Sequence, residues 1–374
     1  MTPPRSPSAQ GQARFGIEEE FVLLDEQTLA PLAQGTGERE RITEGDDSPP
    51  ASASVGRGEI VAEYLTCQVE CITAPSQTRD DAAEQLRRMR RLVSTHAERQ
   101  GALLAPAGTP FVSSGGFAVS KSPHYDVVSA HLAEITREHE VNGLHVHIEI
   151  TDEDERVRAL VRLRAWLPVL LALTGNSPFA RGRHSGFESW RSILIRRLPS
   201  SWCPPAFRDP GDYRATIDRL VEIGAIPDAS SLAWAVRLSE RYPTVEVRVF
   251  DTQLHPDDAL LATLLTRALI ASDLPCCEAT VDAVDAALWT AARHGMNARV
   301  LDPLGDGIAP VQDVTATMLE RLRPVLADAG DEDFVVAHLD RLRVDGTGAQ
   351  RQARAYRRGG VDGLRALYAA QSPS

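Results

Sequence analysis

No stretch of this 374-residue sequence is both long and apolar enough to cross a bilayer. The longest strongly apolar run, residues 165–173, is short and carries Pro168. Residues 1–13 are rich in Pro, Ser and Gln and have no apolar signal core, which predicts a flexible tail. Cysteine is scarce: five residues, an odd number, with no CxxC spacing. That count gives no disulfide framework and fits a reducing, cytoplasmic compartment. Excess basic charge is missing too. Lys and Arg total 40 against 52 Asp and Glu, a net charge of -12, which argues against nucleic acid as the main partner. A bound nucleotide needs only local positive charge and metal. There is no HExxH, no local nucleophile signature and no evident internal repeat.

What is present is ordinary for a folded chain: 25% charged and 43% hydrophobic residues, enough for a large core. Residues 15–24 read as a strand, Phe15-Gly16-Ile17-Glu18-Glu19-Glu20-Phe21-Val22-Leu23-Leu24. Side chains alternate along a strand, so Glu18 and Glu20 share one face and Glu19 turns away with Ile17, Phe21 and Leu23. Residues 38–58 are polar and read as a mobile loop, and 68–73 as a second strand with Gln68, Glu70 and Ile72 on one face. Thr78 caps a long helix that stops at Gly101. Residues 103–107 form a short strand, Gly115-Gly116 a loop, and a helix follows Ser122-Pro123. In residues 144–150, His145, His147 and Glu149 face away from Leu144, Val146, Ile148 and Ile150. Asp152 caps a helix that carries the apolar run and ends at Gly175. Arg181 to Phe207 reads as an arginine-rich loop region with Trp190 and Trp202. Residues 232–238 and 244–252 read as a strand pair, with Glu246, Arg248 and Phe250 on one face. From Pro256 onward the pattern is mostly helical. Strands early and helices late predict an α+β fold with an antiparallel sheet.

The polar groups that leave these apolar strands are Glu18, Glu20, Glu70, His145, His147, Glu246 and Arg248. If the strands share a sheet, these residues line one surface. Carboxylates brought together repel unless cations neutralise them. Oxygen ligands select Mg2+ or Mn2+, a histidine favours Mn2+, and such sites also hold substrate phosphates. Arginines grip phosphate or carboxylate through two nitrogens.

Four segments, FGIEEEFVLLD, NGLHVHIEI, TGNSPFARGRHSGFESWRS and RYPTVEVRVFDTQ, occur in an order and spacing that resemble the carboxylate-amine ligase family, also called glutamate–cysteine ligase type 2. The likeness covers roughly residues 14 to 370, which implies one catalytic domain over 14–374. The Gly143-Leu144-His145-Val146-His147 element also resembles a strand of glutamine synthetases. The resemblance implies an antiparallel sheet curved into a funnel that holds ATP and metal. It also implies ATP-dependent joining of a carboxylate, glutamate in the family, to an amine such as cysteine, in a homodimer. On the matching positions it implies metal ligands at Glu18, Glu20, Glu70, His145 and Glu246. It places His145, His147 and Arg248 toward the nucleotide, and Arg248, Arg191 and Arg183 toward substrate or phosphate. One position departs: Trp234-Ala235-Val236-Arg237 has alanine where the family often has aspartate, which bears on the amine substrate more than on the reaction class.

Two other readings stay open at this point. The same carboxylates and histidines could activate water in a metal-dependent amide hydrolase, or the fold could serve a non-catalytic binder. Each residue taken alone also has a plainer reading: solvated acids on an edge strand, packed histidines, or a Glu246–Arg248 ion pair of small energetic value.

Overall fold

The computed structural model describes residues 12–32, 58–113, 116, 119–275, 278–305 and 307–371. The expected tail at 1–11, the loop at 38–57, Gly115 and the Cys276–Cys277 pair lie outside the described residues. In chain order the first elements are β1 (Phe15–Asp25), β2 (Glu59–Ala62), β3 (Gln68–Ile72), α1 (Arg79–Arg99), β4 (Ala102–Ala105), α2 (Pro123–Leu132) and β5 (Gly143–Glu149). Then come α3 (Glu153–Arg164), α4 (Leu167–Thr174), the short pair β6 (Phe179–Ala180) and β7 (Arg183–His184), α5 (Trp190–Ile195) and α6 (Pro210–Ile223). The chain continues with β8 (Val236–Leu238), β9 (Thr244–Asp251), α7 (Pro256–Ala271) and α8 (Val281–His294). A small hairpin, β10 (Arg299–Leu301) and β11 (Ile308–Pro310), precedes α9 (Val311–Ala329), α10 (Glu332–Asp345) and α11 (Gly348–Ala369). The α+β class and the antiparallel sheet expected from the sequence are what the structure has.

The main sheet is open, in the order β2-β3-β1-β5-β9-β8, with β4 also paired to β1. Every pairing is antiparallel. β1 is the central strand. Its first half pairs with β5, its second half with β4, and β3 runs along it at Glu18–Val22. Register sets the site: Glu18 faces His145, Glu20 faces Glu70, and His147 faces Glu246.

One face of the sheet is apolar and takes Phe15, Ile17, Phe21 and Leu23, covered by α1 and α7, with α4 against β9. Over the second half of β1, Val22 and Leu24 pack with Leu364 and Tyr368 of α11, so the polar face stays open only around its first half. Glu19, on the apolar face, is 0% exposed. It survives there because Arg90 of α1 reaches it through Nε at 3.0 Å and a second nitrogen at 2.5 Å. Arg90 also donates to the carbonyls of Gln253 and Leu254 and lies over the Phe21 ring, so one side chain ties α1, β1 and the entry to α7.

Several boundaries differ from the sequence reading. The expected helix through residues 153–173 is two helices. Asp152 does cap the first, accepting from Glu155 N at 2.8 Å, but the chain bends at 165–166. Pro168 lacks an N–H and is best tolerated in a first turn, and it sits at the start of α4. The strand expected over 232–238 shrinks to Val236–Leu238. Residues 229–231 instead make a tight turn capped by Asp228, and Arg237 holds the carbonyls of Ser230 and Leu232. Strict alternation would put Phe250 on the face of Glu246 and Arg248. A bulge in β9 pairs Val247 with Val146 and Phe250 with Leu144, and so turns Phe250 into the core.

Arg90→Ala leaves the Glu19 carboxylate buried without its partner, which costs about 3–5 kcal/mol. Urea unfolding measures this, and a midpoint shift worth well under 1 kcal/mol would show that the pair does not anchor the sheet.

Candidate active site

The open polar face gathers carboxylates from neighbouring strands. Three groups of side chains bring one donor atom each within 4.8 Å of one another: Glu18, His147 and Glu246; Glu18, Glu70 and His145; Glu20, Glu63 and Glu70. Glu18 belongs to two groups and Glu70 to two, so the groups form a continuous row. Acidic oxygens with one imidazole in two of the three sets suit a divalent cation of the Mg2+ or Mn2+ type. A second observation fits the same occupant. His145 Nδ1 lies 3.1 Å from Glu18 and 3.4 Å from an Arg248 nitrogen, and its buried Nε2, 3.6 Å from Glu20, has no hydrogen-bond partner. His147 is held by Thr244 at Nδ1, 3.0 Å, and turns Nε2 to 3.2 Å from Glu18.

Charge is balanced differently along the row. Burial pushes the Glu246 carboxyl up, but Arg248 and Arg237 overcome it and hold the group well below the usual range. Arg237 reaches it at 2.7 Å, and Arg248 also pairs with it. At Glu18, burial is likewise outweighed, by the hydrogen bonds of His145 and His147, and its carboxyl is lowered. Burial and then Arg248 lower His145. At the other end Arg248 acts on both carboxyls but is outweighed. Burial, then the charge of Glu20, raises Glu63 to about 8. Burial, then Glu63, Glu18 and Glu20, raises Glu70 well above its ordinary value. At neutral pH a proton on Glu63 stands there in place of a cation.

Arg191 approaches the same row from α5. It is 4% exposed, and its Nε and one terminal nitrogen have no hydrogen-bond partner. Its backbone is fixed by Ser177, whose Oγ accepts from Arg191 N at 3.0 Å and donates to Asp251 at 2.7 Å. Ser189 and the backbone N–H of Asn176 complete the ring of donors around buried Asp251, each at 2.8 Å. Gly143 leaves room for the guanidinium: a Cβ there would stand 2.5 Å from an Arg191 nitrogen. The Gly143 N–H donates to Glu20 at 2.5 Å, so the strand start, the carboxylate and the arginine share one fixed position.

The structure therefore brings together Glu18, Glu20, Glu70, His145, His147, Glu246, Arg248 and Arg191. Arg183 stands apart. It is exposed on β7 and lines a different hollow with His184 and Glu138, away from the carboxylates. Sequence periodicity does not mark Glu63. It follows the end of β2 with no alternation to single it out, and the one signal for it is an acid seven residues before Glu70. Asp251 ends the VEVRVFD run, and only the fold reveals the donors around it. Ala235 is 6% exposed and lines the cavity beside Arg248.

Two cavities flank the row. One, of about 220 Å3, has Glu20, Glu63, His145, Arg191 and Arg248 at its floor. The other, of about 230 Å3, lies past Glu18 and His147 and is walled by Ile17, Ile72, Pro243 and Tyr242, whose ring meets the His147 ring edge-on.

Residues 14–370 match the sequence profile of glutamate–cysteine ligase family 2. The chain belongs to that family. A Mycolicibacterium smegmatis protein named "Putative glutamate--cysteine ligase 2-3" is 35% identical over 353 residues, 92% of this chain and 93% of its own. A like-named protein of Saccharopolyspora erythraea is 37% identical over 350 residues, 92% of this chain and 90% of its own. Among solved structures, a glutamate–cysteine ligase from Francisella tularensis in complex with AMP superposes with a TM-score of 0.67 at 13% identity, over 98% of this chain and 90% of that one. A bifunctional glutathione synthetase from Pasteurella multocida gives 0.72 at 16% identity; it spans 97% of this chain, which in turn covers 52% of that longer one. At such identities the two structures establish the shared fold. No described helix of this family 2 chain is long and apolar enough to cross a membrane.

The raised carboxyls give a pH signature. Without metal, Glu63 keeps its proton in the folded state up to about pH 8, above the ordinary 4.5. Its contribution to stability is thus fully present below about 4.5 and is lost as pH rises toward 8. Metal must displace that proton, so Mn2+ affinity should rise through the same window, with proton release. Calorimetry at several pH values in buffers of different ionisation enthalpy checks this, and a flat profile from pH 6 to 9 would remove Glu63 from the binding set.

Proposed function

We propose that this protein is an ATP-dependent carboxylate-amine ligase of the glutamate–cysteine ligase kind, with an acid such as glutamate as donor. The carrying observation is the row of carboxylates shared between two cavities, with free guanidinium nitrogens of Arg191 on one side of it. Glu18, Glu20, Glu63, Glu70, His145, His147 and Glu246 would hold Mg2+ or Mn2+. The cation, when bound, neutralises phosphate charge and orients the γ-phosphoryl group. The apolar crevice beside Tyr242 and Ile72 suits a nucleotide base, and the cavity beside Arg191 suits the acid.

A free carboxylate is a poor acyl donor because oxide is a poor leaving group. Transfer of the ATP γ-phosphoryl group to a carboxylate oxygen gives an acyl phosphate, and the amine then displaces phosphate. No side-chain nucleophile is required. Arg248 is oriented to face the negative charge that develops on the transferring group, since Glu246 already fixes its direction. Arg191 is oriented to meet the charge of the donor acid with its unpartnered nitrogens. Glu246 acts mainly as the anchor of Arg248 and Arg237 until a cation competes for it.

The test is ADP release from ATP, Mg2+ and a pool of acids and amines. ADP should appear only with both an acid and an amine present. ATP-independent amide cleavage without ADP would favour the hydrolase instead. Glu18→Gln and Glu20→Gln should each abolish turnover while the far-ultraviolet circular dichroism stays unchanged. Arg191→Ala should cut kcat/KM by about a hundredfold or more. Arg183→Ala should leave it within about threefold, as befits an exposed side chain away from the row. Equal losses in the two arginine variants would place Arg183 at the site after all.

A further inference from the structure

Among the described α-helices, α2 alone buries no side chain. Its sequence gives it little helix of its own: Ser122 makes no side-chain cap bond, and Val127 and Val128 are β-branched. Docking is what orders it. Five of its side chains, His124, Tyr125, Val128, His131 and Leu132, line the cavity of about 220 Å3 that also takes in Glu63 and Arg191. The chain is pinned on either side of α2. Before it, Ser120 N donates to the Tyr64 carbonyl at 2.8 Å and Ser120 Oγ to the Glu63 carbonyl at 2.5 Å. After it, Arg197 donates to the Glu138 carbonyl at 2.9 Å and to its carboxylate at 3.2 Å. Between the pins the chain turns at Ala133, a non-glycine residue at φ 49°, a strained conformation that persists only where its surroundings impose it. Two contacts hold α2 in place. The buried Tyr64 meets Ser129 Oγ with its hydroxyl at 2.9 Å and the Tyr125 ring edge-on at 5.3 Å. Two residues beyond Ser129, and so on another flank of the helix, exposed His131 donates from Nε2 to the Ala225 carbonyl at 2.9 Å. A hydrogen bond open to water is a weak latch.

We propose that α2 is a lid on this cavity, hinged along Tyr64 and latched by His131 at Ala225, and that its closed position keeps water from the activated donor. The inference rests on the ligase reading above. A segment with no buried side chain opens locally at small free-energy cost, which lets substrates in and products out. Closure matters because an acyl phosphate is open to water as well as to an amine. In that side reaction the water oxygen bonds to the acyl carbon, and the C–O bond to phosphate breaks with its electron pair leaving on phosphate. One water proton goes to the phosphate and the other to solvent, and the carboxylate returns. Each such event consumes one ATP and joins nothing. The pin at Ser120 also ties the lid to the carboxylate row, because it holds the backbone of Glu63.

Hydrogen exchange read by mass spectrometry on the full chain follows residues 123–132 with and without ATP, Mg2+ and glutamate. A parallel assay, with and without cysteine, measures ADP and amide separately. In the free chain the α2 amides should exchange about a hundredfold or more faster than those of α1, and the ligands should slow them about tenfold or more. His131→Ala should remove most of that slowing. It should also raise ADP release from ATP and glutamate without an amine about tenfold, so that ADP exceeds amide, whereas a purely structural loss would lower both together. Ser129→Ala should act in the same direction by a smaller factor. Free-chain exchange of α2 as slow as that of α1, or exchange unchanged by ligands while the wild type forms amide, overturns the lid and leaves the ligase reading standing. So does an ADP-to-amide ratio that neither variant changes. No ADP with any acid and amine of the pool overturns the ligase reading instead, and free-chain exchange then decides the lid alone. Should His131→Ala not fold, Ser129→Ala decides.

Discussion

Like charges crowded on one face of a sheet are the constraint around which this molecule is arranged. Glu18, Glu20, Glu63, Glu70 and Glu246 converge where water is largely excluded, and their mutual repulsion must be met by something. The chain uses three answers within a few residues of one another. Arginine meets Glu246, histidine meets Glu18, and a proton meets Glu63, with the Glu70 carboxyl raised beside it. The first two are built into the fold. The third is provisional, because a proton yields readily to a divalent cation. The difference separates the end of the row that the protein has settled for itself from the end it leaves to a ligand.

Behind the row stands a frame of neutral donors that removes freedom from the charged groups. Asp251 collects Ser177, Ser189 and the Asn176 N–H, and through Ser177 fixes the backbone of Arg191. Gln352 of α11 donates to the Asn176 carbonyl and side-chain oxygen and accepts from Tyr368, which links the last helix to the same frame. Such a network holds an arginine at a fixed place with two of its nitrogens bare, the kind of pre-arranged electrostatics that acyl and phosphoryl transfer require. The last helix thereby supports an arginine it does not touch.

Much of this is legible in the sequence because strand periodicity is strict. Alternation assigns Glu18, Glu20, His145 and His147 to one face and Glu19 to the other, and the register then pairs them as neighbours. Legibility fails wherever position depends on something other than period. Glu63 comes after its strand has ended. Phe250 crosses a bulge that no local residue type announces. Arg183 and Arg191 look alike in sequence, yet one sits at a hairpin tip and the other beneath Gly143, and only a tertiary contact tells them apart. Pro168 does announce a break, but the apolar run around it masks where one helix gives way to the next.

The bulge in β9 carries a consequence for how the sequence can drift. Before it the strand presents Glu246 and Arg248 to the cavity; beyond it Phe250 is a core residue. The residue count between those positions, more than their composition, assigns each side chain to its side. Exchanging one aliphatic residue for another there changes a packing contact. Removing Val247 would put Arg248 among the valines, whereas removing the extra residue of the bulge would restore plain alternation and keep Phe250 in the core. The strand thus tolerates a change of length at its bulge and nowhere between Glu246 and Arg248.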